Sequence, residues 1–437
     1  MPPTLRRALA HRWLVPLLLI AAGIVLRLYW MHGHPTLGWQ KSETQNIAIA
    51  LITTGRFADA FGPGSGLTAH TSPVMPLLIA SVYAVFGAAT PAAEVALQMQ
   101  SIALVSLSFA LAYRLFGELG ASRPARLVAL VVVAVLPLQF ELEINQIRSW
   151  ESALTVCLLL AVLGALLRLD LRSPPLLRAL ILPALGTGLL FLTSLAGGVA
   201  AITGFVLLAL RRLPARRWPA AAALLAVALV AFSGPWALRN HAALGRTIWT
   251  RSNSGLELSL AYNDRMIDWR DPQGSYVARL HEMHPMHASG RAAYDAAGEL
   301  AYYDAQGAAA RQWIDSHRNA AVAIFLRHVR EYLVPPAWFL QGWGQGGSAL
   351  ALRGQLLGLA ALLSLAALAV LPWRHPRYLY ILLALGALAA PYIVVQPILR
   401  YRYLIYALTI FLACDGVARL IAAVRRRAAS VPASASP

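Results

Sequence analysis

Eleven stretches of roughly twenty apolar residues, separated by short polar loops, dominate this 437-residue chain. They fall near 13–30, 72–90, 94–117, 125–141, 150–169, 177–192, 194–212, 218–237, 350–372, 377–396 and 398–421. About 20 apolar residues is the length at which a helix spans the hydrocarbon of a bilayer. In lipid every backbone N–H and C=O must be paired within the protein, so such runs specify helices. Composition agrees, with 58% hydrophobic and 13% charged residues. A soluble domain carries about 25% charged residues, and disorder requires low hydrophobicity, so both of those classes are excluded.

The net charge of +18 does not point to nucleic acid. Thirty-six of the 37 basic residues are Arg (Lys41 is the single Lys), and they cluster between the apolar runs. One loop holds Arg114, Arg123 and Arg126; a second holds Arg168, Arg172 and Arg178. A third holds Arg211, Arg212, Arg216 and Arg217; Arg374 with Arg377 and the tail Arg425, Arg426 and Arg427 complete the set. The positive-inside rule puts all of these in the cytoplasm. Arg6, Arg7 and Arg12 precede the first run and no small-residue cleavage site follows it, so 13–30 reads as an uncleaved signal anchor. Segments 31–71, 142–149 and 238–349 then face the opposite side.

Two cytoplasmic ends require an even number of crossings. The run 72–90, short and opened by Pro73 and Pro76, is the one expected to lie along the interface. The expectation is an all-α polytopic inner-membrane protein of about ten transmembrane helices, with both termini cytoplasmic. Its organisation reads as 1–237, a transmembrane module with the catalytic outer loops; 238–349, a small, mostly helical periplasmic domain; 350–424, further transmembrane helices; and 425–437, a disordered cytoplasmic tail. Segment 238–349 holds ten of the 19 acidic residues, and 289–333 reads as helix with Ser289 as a candidate N-cap. Cys157 and Cys414 sit far apart in apolar runs and define no disulfide framework.

Charge near hydrocarbon is costly, so each acidic residue of the first 235 is at an interface or functional. Glu118 and Asp170 lie among cytoplasmic arginines, where ion pairing explains them. Glu43, Asp59, Glu141, Glu143 and Glu151 fall on the outer side. Glu43 opens an amphipathic stretch, 42–52, ended by Gly55; Ser42 suits an N-cap and Gly55 a C-terminal cap. Two roles stand open for Glu43: a first-turn acid favoured by the helix dipole, or a base for an incoming hydroxyl. Arg400 and Arg402, in Arg400-Tyr401-Arg402-Tyr403, lie at the outer end of the last run, against the positive-inside rule. They suit a lipid phosphate or ordinary snorkelling, and the same two readings apply to Arg239. The run His281, His284, His287 has metal-like spacing, but Pro285 interrupts the helix that would align it, so no metal site and no cofactor is assigned.

Segment 43–87 reads Glu-Thr-Gln-Asn-Ile-Ala-Ile-Ala-Leu, Thr-Gly-Arg-Phe, Thr68-Ala-His-Thr-Ser-Pro73-Val-Met-Pro76 and Val85-Phe86-Gly87. With Pro235-Trp236-Ala-Leu-Arg239-Asn240, Gly245-Arg246, Ser252–Leu258 and Arg400-Tyr-Arg402-Tyr, it resembles the GT-C glycosyltransferases related to protein mannosyltransferases and aminoarabinose transferases. The resemblance implies transfer of a sugar from a polyprenyl-phosphate donor, in contact with membrane lipids, to a lipid, polysaccharide or protein acceptor on the periplasmic face. It implies a catalytic carboxylate in the first outer loop. Where many members carry Asp-Glu, this chain has Ser42-Glu43, so the role passes to Glu43. Glu151 falls where such members often have an acid, and Glu141 shares its loop. The site expected is therefore Glu43, Glu151 and Glu141 for catalysis, with Arg400, Arg402 and Arg239 for the lipid phosphate. A flippase of lipid-linked intermediates would show inverted repeats and midplane charge, which the sequence lacks. A non-catalytic scaffold is the remaining alternative.

Overall fold

The computed structural model describes residues 3–36, 40–171, 177–268, 270–340 and 348–429. Arg172 and the tail from 430 lie outside the described residues. The described chain is helical, with one isolated bridge between Ala58 and Leu67 and no strand.

Eight of its helices are long and apolar enough to cross a membrane. They are α1 (Pro3–His32), α4 (Pro91–Glu118), α6 (Ser152–Leu171), α8 (Leu195–Arg212), α9 (Trp218–Leu244), α16 (Ser348–Arg374), α17 (Leu379–Val394) and α18 (Leu399–Ala429). The remaining three apolar runs fold as shorter pieces. Run 72–90 forms α3 (Val74–Phe86), packed on α2 (Glu43–Thr54) and α4. Run 177–192 forms a 3₁₀ turn and α7 (Ile181–Thr193). Run 125–141 is broken. It starts as α5 (Arg123–Leu130), loosens into a π-helical turn over Val131–Val135, and leaves the helix at Leu136. Here α1 crosses so closely that a Cβ on Gly23 would stand 2.4 Å from the Ala134 carbonyl oxygen. Only glycine fits that approach.

Ion pairs gather the basic loops at one end of the bundle. Arg168 reaches Glu118 at 3.1 Å, and Asp170 receives Arg211 at 3.4 Å and Arg377 at 3.4 Å. Arg419 of α18 pairs with Asp415 at 2.9 Å and donates to the Gly120 carbonyl. The lipid-facing middle is apolar. A groove of about 410 Å³ runs between α5, the 131–138 stretch, α16 and α18, lined by residues such as Val128, Leu356 and Ile410.

The opposite end carries the polar part of the chain. α9 continues to Leu244, past the end of its apolar run, and stops at Gly245 in the left-handed conformation (φ 72°). Five helices follow: α10 (Ser254–Ala261), α11 (Pro272–Met283), α12 (Ala288–Ala297), α13 (Glu299–Ser316) and α14 (Arg318–Leu333), with the short α15 (Ala337–Leu340) after them. The single helix expected over 289–333 is thus three, divided at Gly298 (φ 80°) and His317. Ser289 caps nothing; its hydroxyl donates to the His281 carbonyl at 2.6 Å.

These helices share a core with the first loop: Ile47, Phe57 and Phe61 pack with Leu256, Tyr294 and Tyr303. Buried Glu299 fastens the two. It accepts from the Ala69 amide (2.8 Å), Ser252 (2.7 Å), Tyr294 (3.1 Å) and the Thr68 hydroxyl.

Candidate active site

The site begins with how α2 starts. Ser42 and Gln45 form a reciprocal capping box, and Gly55 closes the helix at φ 69°. The first turn is held from the side. Thr44 donates to the Ser149 carbonyl at 2.6 Å. Gln45 donates to Glu94 of α4 at 3.0 Å, and Glu94 also accepts from Arg148 (2.9 Å) and Thr36 (3.1 Å). Capping therefore belongs to Ser42 and Gln45, and Glu43 between them is left to do something else.

Glu43 is 9% exposed. Its Oε1 stands 3.6 Å from His284 Nε2, just beyond hydrogen-bond length, and no donor reaches it among the described residues. Burial holds the His284 imidazole below the ordinary histidine range, against the pull of Glu43, so the ring is neutral at pH 7. His70, buried nearby with its ring centroid 6.4 Å from that of His284, is pushed well down by the same burial. Its Nδ1 meets the Tyr303 hydroxyl at 2.7 Å.

Arg400, at the start of α18, faces this group. Its guanidinium lies 3.9 Å over the Trp150 ring and 5.0 Å from that of Tyr401, whose hydroxyl it contacts at 3.1 Å. Its Nε is buried without a partner. Glu43 and Glu257 are both within its electrostatic reach. Burial raises the Glu257 carboxyl above the usual carboxylate range, with Arg400 and Arg251 opposing. Glu151 lies beside Trp150 and is ion-paired with Arg251.

Three of the six expected site residues thus converge: Glu43, Glu151 and Arg400. The other three lie elsewhere. Arg402 is 3% exposed and donates to the carbonyls of Tyr332 (2.8 Å), Leu333 (3.1 Å) and Leu357 (3.0 Å). Residues two apart on a helix point about 200° away from each other, so Arg400 and Arg402 serve different faces. Arg239 clamps the first loop, donating to the carbonyls of Thr68 (2.6 Å) and Phe57 (2.5 Å). Glu141 accepts from Asn145 at 3.0 Å, and its charged neighbours are His34, Arg148 and Arg353. Sequence reading missed His70, Arg251, Glu257 and the contact of His284 with Glu43. Arg251 directly precedes the quoted Ser252–Leu258 motif and Glu257 lies inside it; the histidine was visible only as part of a metal-like run. His281 and His287 stack on each other at 4.0 Å while His284 turns to Glu43. No group of three metal-ligating side chains forms among the described residues.

A free carboxylate beside a neutral imidazole can take a proton. A cation stacked on tryptophan, with one N–H unclaimed, can hold an anion. The two functions lie within electrostatic reach of each other at one end of an apolar bundle.

No protein-family model and no curated protein matches the chain. Solved structures do. The oligosaccharyltransferase AglB from Archaeoglobus fulgidus, in complex with an inhibitory peptide and a dolichol-phosphate, superposes with a TM-score of 0.53 at 14% identity over 98% of this chain. Its apo form gives 0.53 at 13% identity over the same share. The chain spans about half the length of these proteins, 52% and 53%. ArnT from Cupriavidus metallidurans bound to undecaprenyl phosphate aligns over 94% of this chain and 79% of its own at 15% identity, with a TM-score of 0.34, too low to bear on the fold. The chain is an all-helical polytopic membrane protein that shares its fold with the oligosaccharyltransferase AglB.

Proposed function

We propose that the protein transfers a sugar from a polyprenyl-phosphate carrier to a hydroxyl-bearing acceptor. The observation that carries this reading is Glu43: a nearly buried carboxylate, freed from capping, with no hydrogen-bond donor among the described residues and with Arg400 in reach. Glu43 removes the acceptor proton as the hydroxyl attacks the anomeric carbon. Arg400 holds the carrier phosphate and stabilises the charge that grows on it as the sugar leaves. Glu151 fixes Arg251 next to them. Arg402 and Arg239 act from behind, holding helix ends and loop carbonyls. The apolar groove offers a place for the carrier's hydrocarbon. That AglB has been solved with a dolichol-phosphate supports a carrier of this class.

The test is Glu43→Gln, which keeps size and hydrogen bonding but cannot accept a proton. Transfer should fall roughly a hundredfold or more, with donor still bound. Mass spectrometry of lipid-linked sugars should show one carrier-linked sugar accumulating. Near-normal transfer by the variant would reject Glu43 as the base.

The same reading sets the basic loops and both termini in the cytoplasm, the polar end outside the inner membrane and 238–349 as its periplasmic domain. A reporter fused near Gly274 should be active only when outside; cytoplasmic activity there would overturn the orientation.

A further inference from the structure

Away from Glu43, the polar helices enclose a second cavity. It lies between the α10 end turn, α11 and α13 and has a volume of about 430 Å³. That is within the range of small-molecule sites. Tyr262, Asp264, Arg265, Arg279, Glu282 and Trp313 border it. Two acids and two arginines balance, so the lining carries no net charge. The side chains are already oriented. Asp264 Oδ1 accepts from the Trp313 indole at 2.7 Å, and Glu282 is paired with Arg265 and, at 3.5 Å, with Arg279. Arg279 also donates to Ser259 at 3.1 Å, while its Nε is buried without a partner. His317 covers one face of the Trp313 ring, centroids 4.8 Å apart, and the indole still borders the cavity.

The ligand this lining suits is uncharged overall, rich in hydroxyls and apolar on one side. A phosphate would meet two carboxylates; a hydrocarbon would strip water from four charges. A sugar ring satisfies both demands. Its C–H face packs on an aromatic ring, and its neighbouring hydroxyls pair with planar carboxylate and guanidinium groups that accept or donate two bonds at once. We infer that this cavity binds a saccharide unit of the acceptor. That last word rests on the proposed transferase reading; the saccharide site itself does not. The position favours it: two residues beyond Glu282 the same chain carries His284, which faces Glu43. Two residues span at most about 7.6 Å between Cα atoms.

The experiment uses the full chain in nanodiscs. Neutral hexoses, pentoses, amino sugars, hexuronates and disaccharides are titrated, read by saturation-transfer NMR and tryptophan fluorescence. At least one neutral class should bind saturably, and more tightly than the charged amino sugars and hexuronates. Arg265→Ala and Trp313→Phe should each weaken that binding tenfold or more, and Glu43→Gln should leave it intact. The exposed Arg265 keeps the test valid if Trp313 variants fail to fold. No saturable binding by folded protein, or binding indifferent to both variants, would overturn the inference. Binding that survives alongside an active Glu43→Gln enzyme would sink only the role of Glu43 as base, and binding by a parent chain that transfers no sugar would sink only the transferase reading. A dead Glu43→Gln enzyme with no saccharide binding would sink only the cavity.

Discussion

Two charged pairs within one bundle behave oppositely. Arg27 and Glu143 are sealed inside, at 1% and 0% side-chain exposure. Every nitrogen of Arg27 is engaged: Nε donates to Glu143, one terminal nitrogen to Glu143 and the Val133 carbonyl, and the other to the carbonyls of Gly23 and Ala134. Tyr403 completes Glu143 at 3.2 Å. At the polar end Glu43 has a histidine at 3.6 Å and, among the described residues, no donor, and none of them claims Nε of Arg400. A charge with its hydrogen bonds filled by protein is part of the frame. A charge with capacity left over is available to a ligand.

Breaking the closed pair should have the largest effect on the fold. Arg27→Ala leaves Glu143 buried and unpaired, a change that costs about 3–5 kcal/mol. Thermal unfolding in detergent should show it, and a variant as stable as the parent would mean the pair is dispensable. Glu43→Gln, proposed to abolish transfer, should by contrast leave the unfolding temperature almost unmoved. That opposition is the sharpest form of the comparison.

Next come the two arginines of one motif. Arg402→Ala strands three carbonyls, at about 1–3 kcal/mol for each left unsatisfied, and should lower stability. Arg400→Ala should spare stability and weaken donor binding tenfold or more, since a charged hydrogen bond contributes roughly 1.5–3 kcal/mol. Titration of a polyprenyl phosphate into each variant separates them. Equal donor affinity in the parent and Arg400→Ala would remove Arg400 from the site.

The smallest effect is on pH. His70 and His284 titrate lower in the folded chain than the ordinary 6.5. As pH falls through about 6.5 the unfolded chain takes up protons first, so stability is lost on acidification. Each histidine contributes a slope of at most about 1.4 kcal/mol per pH unit. Unfolding temperatures between about pH 7.5 and 5 should fall, less steeply in His70→Gln and His284→Gln. A slope unchanged in both variants would place the acid sensitivity elsewhere.

What the sequence showed and hid follows from range. The Ser42 and Gly55 caps, the short run at 72–90 and the basic loops are local signals, and each was readable from a few residues. The opposite fates of Arg400 and Arg402 were also within reach, because helical geometry alone turns them apart. Run 125–141 looked continuous because composition says nothing of a π turn at Val131. His284 beside Glu43, and Arg251 beside Glu151, are contacts across 241 and 100 positions, set by packing that no local pattern encodes.

Glu299 carries a consequence for how the protein is made. The loop it fastens at Thr68 and Ala69 is synthesised 231 and 230 residues earlier. At about 5–20 residues per second, that loop waits on the order of ten to fifty seconds for its anchor. Until the helices after Gly245 follow, Phe57 has Trp236 and the Arg239 clamp, while Phe61 lacks His284 and Tyr294. A ribosome that stops before Glu299 therefore releases a product whose first loop is held by Arg239 but lacks the Glu299 fastening at Thr68 and Ala69.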